Sequence, residues 1–289
     1  MTPFTYVCPT DLKEAVRLLA DSGTPTKLLA GGQTLLLALK ERTQRPARVL
    51  SLSSLKELSG VRELSDGRLD IGATTTYATL ARFKFVGWHR EVAAVAGNLA
   101  DRSVRNLGTI GGAVCHAEPR YDMPTLLTAA GAQMHLVSAA GERTLGAAEF
   151  FNVGGGTHMS AAEILLRISL PGVTALDALA FEKFRFRVFD AAIVSVACAL
   201  KLASNGTVAT ARIVVGAVAK APLTAVATAA ALQGMRPAEL HPEEVAAKVA
   251  AELAPFNQSQ NLRQRYQSEL VISLTAKAIA SALASTRGA

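Results

Sequence analysis

Between Lys27 and Glu41 the chain reads KLLAGGQTLLLALKE: a strand-like apolar run and a helix-like apolar run joined through two adjacent glycines. This junction constrains the fold more than any other feature. A glycine pair at such a place lets the backbone turn tightly and come close to whatever lies beside it. The next stretch, ARVLSLSSL, returns to an apolar alternation. Strand, helix and strand within about 26 residues predict a small βαβ unit. Upstream, PTDLKEAVRLLADSG predicts a helix. Asp11 and Glu14 sit in a capping arrangement, Leu12, Val16 and Leu19 share a face, and Gly23 ends it.

Further along, RLDIGATTTYATLARF predicts strand, Thr-rich turn and helix, and EVAAVAGNLA predicts another helix. VRNLGTIGGAVCHAEPRYDMP carries the second glycine pair and little apolar periodicity. It is expected to be long irregular backbone, which inside a compact domain usually serves a function. AQMHLVSAAGERTL predicts two strands, and EILLRISLP a strand ended by Pro171 and Gly172. Residues 171–179 are read as a domain boundary. Beyond them ALAFEKFRFRVF, AIVSVACALKLA and TVATARIVVGAV predict three strands, with a Ser204-Asn205-Gly206 hairpin turn between the last two. Helices follow from Leu223, including a long one over Asn261–Ser285. Strands followed by helices make a separate α+β domain.

The chain has 289 residues, half of them hydrophobic, which predicts two packed domains rather than disorder. The net charge of +7 raises a nucleic-acid reading. The 30 basic residues are spread along the chain, with the tightest group at Lys183, Arg185 and Arg187, and no nucleic-acid motif is visible. A solvated face or an acidic partner surface is the reading preferred. Cys8, Cys115 and Cys198 are few, odd in number and far apart, which argues against a disulfide framework and against a cluster or metal site in this chain. No segment holds 18 uninterrupted apolar residues, and the apolar stretch Leu126–Ala140 is read as the end of a core helix and a strand. A cytoplasmic protein without membrane insertion is expected.

Two readings of the first glycine pair stand side by side: a tight strand-to-helix turn, or a phosphate cradle at a helix start. In the second, Gly31 and Gly32 let the backbone close on an anion, and Gln33 and Thr34 add donors. The GxGxxG fingerprint and the Walker lysine pattern are both absent. A cradle without lysine fits a pyrophosphate held by backbone donors. In the second segment, Thr109 is a phosphate donor candidate, and Gly111 and Gly112 are candidates for close backbone approach. Asp122 is read either as an acceptor for a ribose hydroxyl or as the N-cap of the helix in MPTLLTAAG. His116 is read as a structural residue. The five histidines show no spacing suited to zinc. Ser103 and Ser195 lack a neighbouring histidine, which argues against hydrolase chemistry. Phe181, Phe184, Phe186 and Phe189 are read as strand and core packing, with shielding of a ring ligand as the alternative.

LLAGGQTLL, LGTIGGAVCHAEPRYDMP, EILLRISLP and FEKFRFRVFDAAIVSVACAL occur in the order found in the FAD-binding medium subunits of the molybdenum hydroxylases, the xanthine dehydrogenase and carbon monoxide dehydrogenase family. The chain resembles these over nearly its whole length. The resemblance implies an α+β fold: a two-lobed FAD-binding domain of the vanillyl-alcohol-oxidase (PCMH) type over 1–175, with lobes of about 1–55 and 56–175. A C-terminal domain over 176–289 would follow, with a three-stranded antiparallel sheet and helices. It implies FAD between the lobes, contacted by Leu28, Ala30, Gly31, Gly32, Gln33 and Thr34 from the first loop. From the second come Gly108, Thr109, Gly111, Gly112 and Asp122. Leu165 matches an apolar residue near the adenine or the ring, and Lys183 falls within one position of a lysine placed near the flavin, where a cation stabilises negative charge. Where the family usually has IGGN this chain has IGGA, and Ala113 removes a side-chain amide worth roughly one hydrogen bond.

The resemblance further implies an oxidoreductase subunit with no catalytic acid or base of its own. Its partners would be a small subunit with two [2Fe-2S] clusters and a large subunit with the molybdenum cofactor, in a dimer of heterotrimers. Electrons would leave through FAD to an external acceptor. Two alternatives are a stand-alone flavin-dependent oxidoreductase of the same fold and a scaffold subunit that has lost FAD.

Overall fold

The computed structural model describes residues 2–253 and 262–286. The chain opens with β1 (Thr5–Val7), α1 (Leu12–Ala20), β2 (Thr26–Leu29), α2 (Leu35–Lys40) and β3 (Arg48–Ser51). β2 and β3 run parallel, with Leu28 opposite Leu50, so the βαβ unit forms as its spacing predicts. β1, too short for its pattern to stand out, pairs on the other side of β3. The Asp11 carboxylate caps α1, accepting from the Glu14 N–H at 2.8 Å. Ala15 and Leu19 bury against Leu50, Leu52 and Leu58.

A second unit follows: β4 (Val61–Glu63), β5 (Leu69–Gly72), α3 (Tyr77–Arg82), α4 (Arg90–Gly97), α5 (Arg102–Leu107), α6 (Ile110–His116), α7 (Asp122–Ala130), β6 (Gln133–Ser138), β7 (Gly141–Gly146), α8 (Ala147–Phe150) and β8 (Ile164–Leu170). Its five strands form an antiparallel sheet in the order β4-β5-β8-β6-β7. The expected irregular stretch from Val104 to Pro124 is instead most of α5, all of α6 and the start of α7. Asp101 caps α5 by accepting from the Val104 N–H at 2.9 Å, and Thr109 caps α6 by accepting from the Gly112 N–H at 3.1 Å. Helices of six and seven residues are too short to stand on propensity and are held by what they pack on. All nine residues of α7 are buried. A helix enclosed on every side has no polar stripe.

The last unit holds β9 (Ala178–Phe184), β10 (Val194–Leu202), β11 (Val208–Gly216), β12 (Leu223–Thr224), α9 (Val226–Ala230), α10 (Pro242–Ala246), α11 (Val249–Glu252) and α12 (Leu262–Thr286). Three long antiparallel strands form as expected, and a two-residue fourth strand joins at the edge, in the order β12-β11-β10-β9. The sequence places the long helix over Asn261–Ser285; Asn261 itself lies outside the described residues. Alternate β10 residues face opposite layers. Ala197 and Ala199 join the core around α7, while Val196, Cys198 and Leu200 join that under α12. Among the described residues α12 alone is long and apolar enough to cross a membrane. It lies along the sheet with Val271, Leu274, Ala278, Ile279, Ala282 and Leu283 buried.

Candidate functional site: a cleft between two glycine segments

The two glycine segments meet. At the end of β2, Gly32 takes a left-handed φ of +71°, a conformation that glycine adopts without the penalty a Cβ imposes. The Leu36 N–H then bonds the Gly32 carbonyl at 3.1 Å, and the Gln33 amide closes on the Gly31 carbonyl at 3.1 Å. The amides just ahead of α2 therefore precede its hydrogen-bond ladder. Gly31 does something different. A Cβ there would overlap the Leu107 carbonyl oxygen and lie 2.9 Å from the Gly108 Cα. Its missing side chain lets the two loops touch.

The second segment is stitched to the residues after β5. The Tyr77 N–H bonds the Gly108 carbonyl at 3.0 Å, Ile110 bonds Thr75 at 3.0 Å, and Gly111 bonds Ala73 at 2.9 Å. Gly111 is buried, and a Cβ on it would stand 2.5 Å from the Ala73 carbonyl oxygen. The close approach that Gly111 makes in the structure is to the protein's own backbone. Gly112 is exposed, and its N–H is taken by the Thr109 hydroxyl. Ala113 keeps the first turn of α6, its N–H bonding the Thr109 carbonyl at 3.2 Å.

Beside this junction runs a cleft of about 560 Å³. Ala30, Gly31, Ser53, Leu55, Lys56, Ser59, Thr74, Thr76, Asn106, Leu107 and Thr109 line it. Of the expected site residues, Ala30, Gly31 and Thr109 are on its wall, with Gly32, Gln33, Thr34 and Gly108 adjoining them in the chain. Leu28 packs with the core of the first unit, and Leu165, 3% exposed, with that of the second; neither lines the cleft. Ser53, Lys56, Ser59, Thr74, Thr76 and Asn106 were not legible as site residues. The Thr74-Thr75-Thr76 run after a buried strand was the one local signal. Among the described residues the wall combines the apolar Ala30, Leu55 and Leu107 with hydroxyls, the Asn106 carboxamide and the Lys56 ammonium, and carries no carboxylate. Such a donor set suits a diphosphate, and the volume is that of a small-ligand site. A larger depression of about 690 Å³ lies between α1 and the end of β6. It mixes Asp11 and Glu57 with Lys13 and Arg17, a pattern that selects no charge.

At the start of α7, Asp122 is 2% exposed and pairs with Lys183 on β9. Tyr121 occupies the cap position and Asp122 the first turn, so the N-cap reading of Asp122 is corrected. Burial pushes the Asp122 carboxyl up, and the Lys183 ammonium, with Arg185 behind it, pulls it down. Arg185 forks onto Asn98, 3.1 Å from its carbonyl and 2.8 Å from its side-chain oxygen. Phe181 and Phe184 are half-buried, as expected of strand packing. Phe186 and Phe189 are 74% and 62% exposed, because β9 ends at Phe184 and the chain leaves the sheet. His116 is exposed with its ring 5.9 Å from that of Tyr121. Ser195 is buried against Thr125.

Residues 2–173 match the family model described as the FAD binding domain in molybdopterin dehydrogenase. Residues 179–282 match that of the CO dehydrogenase flavoprotein C-terminal domain. The glyceraldehyde dehydrogenase medium chain of Sulfolobus acidocaldarius is 32% identical over 280 residues, covering 95% of this chain and 96% of that one. The carbon monoxide dehydrogenase medium chain of Hydrogenophaga pseudoflava is 34% identical over 206 residues, 70% of each. Among solved structures, a carbon monoxide dehydrogenase of Hydrogenophaga pseudoflava superposes with a TM-score of 0.87 at 31% identity, covering 99% of both chains. Quinoline 2-oxidoreductase of Pseudomonas putida 86 does so with a TM-score of 0.85 at 29% identity and 99% coverage of both. By sequence along its whole length and by fold, the chain belongs to the FAD-binding medium subunits of the molybdenum hydroxylases.

Proposed function

We infer that this chain binds FAD in the cleft between its first two units and serves as the electron exit of a heteromeric molybdenum hydroxylase. The observation that carries the reading is the cleft wall. Two glycine segments joined at Gly31 and Leu107 meet beside the hydroxyls of Ser53, Ser59, Thr74, Thr76 and Thr109 and the Lys56 ammonium, with no carboxylate among the described lining residues. On this reading Ala30 to Thr34, Gly108, Thr109 and Gly112 hold the diphosphate. Asp122, with one oxygen engaged by Lys183, presents the other to a ribose hydroxyl. Lys183 keeps a positive charge beside the ring system. Leu28, Gly111 and Leu165 shape the packing behind the site. FAD supplies a group that takes electrons singly and gives them up in pairs, which suits a place between clusters and an external acceptor.

The chain divides into an FAD-binding domain over 1–175, with lobes of about 1–55 and 56–175, and a C-terminal domain over 176–289. The shared core of Leu126 and Leu127 with Leu179, Ala197 and Val214 keeps the two together. Its partners are a small chain with [2Fe-2S] clusters and a large chain with the molybdenum cofactor, paired as a dimer of heterotrimers. The location is cytoplasmic, where Cys8, Cys115 and Cys198 stay thiols. The test is purification of the native complex with absorbance spectra and metal analysis. One FAD per copy of this chain, with iron and molybdenum on the other chains, is expected, and Gly32→Val should abolish flavin retention. A complex that keeps full flavin with Gly32→Val would overturn the cradle assignment.

A further inference from the structure

A hydroxyl pair tethers the first glycine loop. Thr34 Oγ1 and the Tyr121 phenol oxygen lie 3.2 Å apart, across 87 positions of sequence. Both side chains are half-buried. Among the described residues only one other hydrogen bond to a side chain joins residues up to 55 to those after them, that of the Leu12 N–H to Glu57. Tyr121 is itself fixed. It occupies the cap position of α7, its N–H bonds the Glu118 carbonyl at 3.0 Å, and its ring lies beside that of His116. The next residue is Asp122, held by Lys183. The tether therefore sets the glycine loop against the buried ion pair.

We propose that Tyr121 is a positioning residue for FAD: its hydroxyl holds Thr34, and with it the amides of Gly31 to Thr34, at a set place relative to Asp122. This rests on the reading that the glycine loop holds the diphosphate. The loop needs such a hold. Gly32 gives it conformational freedom, and α2, six residues long, does not order it by itself. A loop already in place binds without the cost of ordering its donors. Loss of one hydroxyl bond should speed FAD release by about two- to tenfold, the factor that corresponds to a single hydrogen bond.

The test uses the full chain in its assembled complex, with FAD release followed by the recovery of flavin fluorescence. Tyr121→Phe should release FAD about two- to tenfold faster than the parent. In a Thr34→Val background, Tyr121→Phe should add nothing further, because both changes remove the same bond. A Tyr121 that served only the general packing of α7 would add its full factor in that background, and this result would overturn the proposal. So would parental release from Tyr121→Phe. A parent complex that takes up no FAD would overturn the FAD reading along with the tether. A parent that holds FAD beside an indifferent Tyr121→Phe overturns the tether alone.

Discussion

Gly31 lies against the backbone of Leu107 with no room for a side chain: a Cβ on Gly31 would stand 2.8 Å from the Leu107 carbonyl carbon. The neighbour is main chain rather than the far end of a side chain, so it cannot swing aside. Gly31→Ala should therefore prise the two glycine segments apart. Forcing a methyl group into such a contact costs about 1–3 kcal/mol. Spent on the cleft, that is on the order of ten- to hundredfold weaker FAD retention. The FAD-to-chain ratio of the purified complex measures it, and a ratio equal to the parent's contradicts the assignment.

Lys183 and Asp122 are 9% and 2% exposed at their side chains, and each is the other's ion partner. Lys183→Met leaves a buried carboxylate without its cation. Breaking a buried pair from one side costs about 3–5 kcal/mol. Replacing both, as Asp122→Leu with Lys183→Met, removes the lone charge and should recover much of that loss. Urea unfolding of the parent, the single variant and the double variant tests the order. A double variant less stable than Lys183→Met would show that the pair is not what the single change breaks.

These two predictions draw on different amounts of sequence. The βαβ unit, the long C-terminal strands and the first glycine turn were legible because apolar period and turn residues agreed locally. The second glycine segment was not. Its glycines and prolines resemble loop composition, yet Asp101 and Thr109 cap short helices there, and Gly111 sits inside one because Ala73 leaves space for nothing larger. That constraint comes from a strand end 38 residues away, and no local pattern announces it. The hydroxyl wall of the cleft was hidden for the same reason. Ser53, Ser59 and Thr74 come from separate loops, Asn106 from the end of α5, and they share no spacing. Lys183 and Asp122 were each singled out, but that they pair is a fact of how β9 packs beside α7.

The two glycines of the second pair should separate cleanly on substitution. Gly111→Ala meets the Ala73 carbonyl oxygen at 2.5 Å and the Ala73 Cβ at 2.7 Å, inside the core. Gly112→Ala meets only the Thr109 hydroxyl, at 2.9 Å, on an exposed turn. The first should lose about 1–3 kcal/mol through overpacking. The second should lose about 1 kcal/mol or less, the worth of a disturbed cap. Chemical denaturation of the two variants measures the difference. Equal losses would mean that Gly111 is not a packing residue.

Glu163, just before β8, gives the fold a dependence on acid. Its carboxylate is 7% exposed at the side chain and accepts from Arg143 Nε at 2.5 Å, from Arg143 Nη2 at 2.9 Å and from the Ser160 N–H at 2.6 Å. The Arg143 hydrogen bond holds the carboxyl below its ordinary 4.5; burial opposes this, and the Ser160 N–H adds to it. The folded form thus binds this proton more weakly than the unfolded chain does. Stability from Glu163 is fully present above about 4.5 and is lost as the pH falls through the lowered folded value. Arg143 is 45% exposed, so solvent screens part of the charge interaction. Glu163→Gln should then cost about 1–2 kcal/mol at pH 7, chiefly through hydrogen bonds to a charged acceptor. Parent and variant should converge in acid, once the parent carboxyl is protonated in both states. Urea denaturation of each from pH 7 into the acid range tests this, and a gap that persists undiminished at the acid end would show that the Arg143 pairing does not set it.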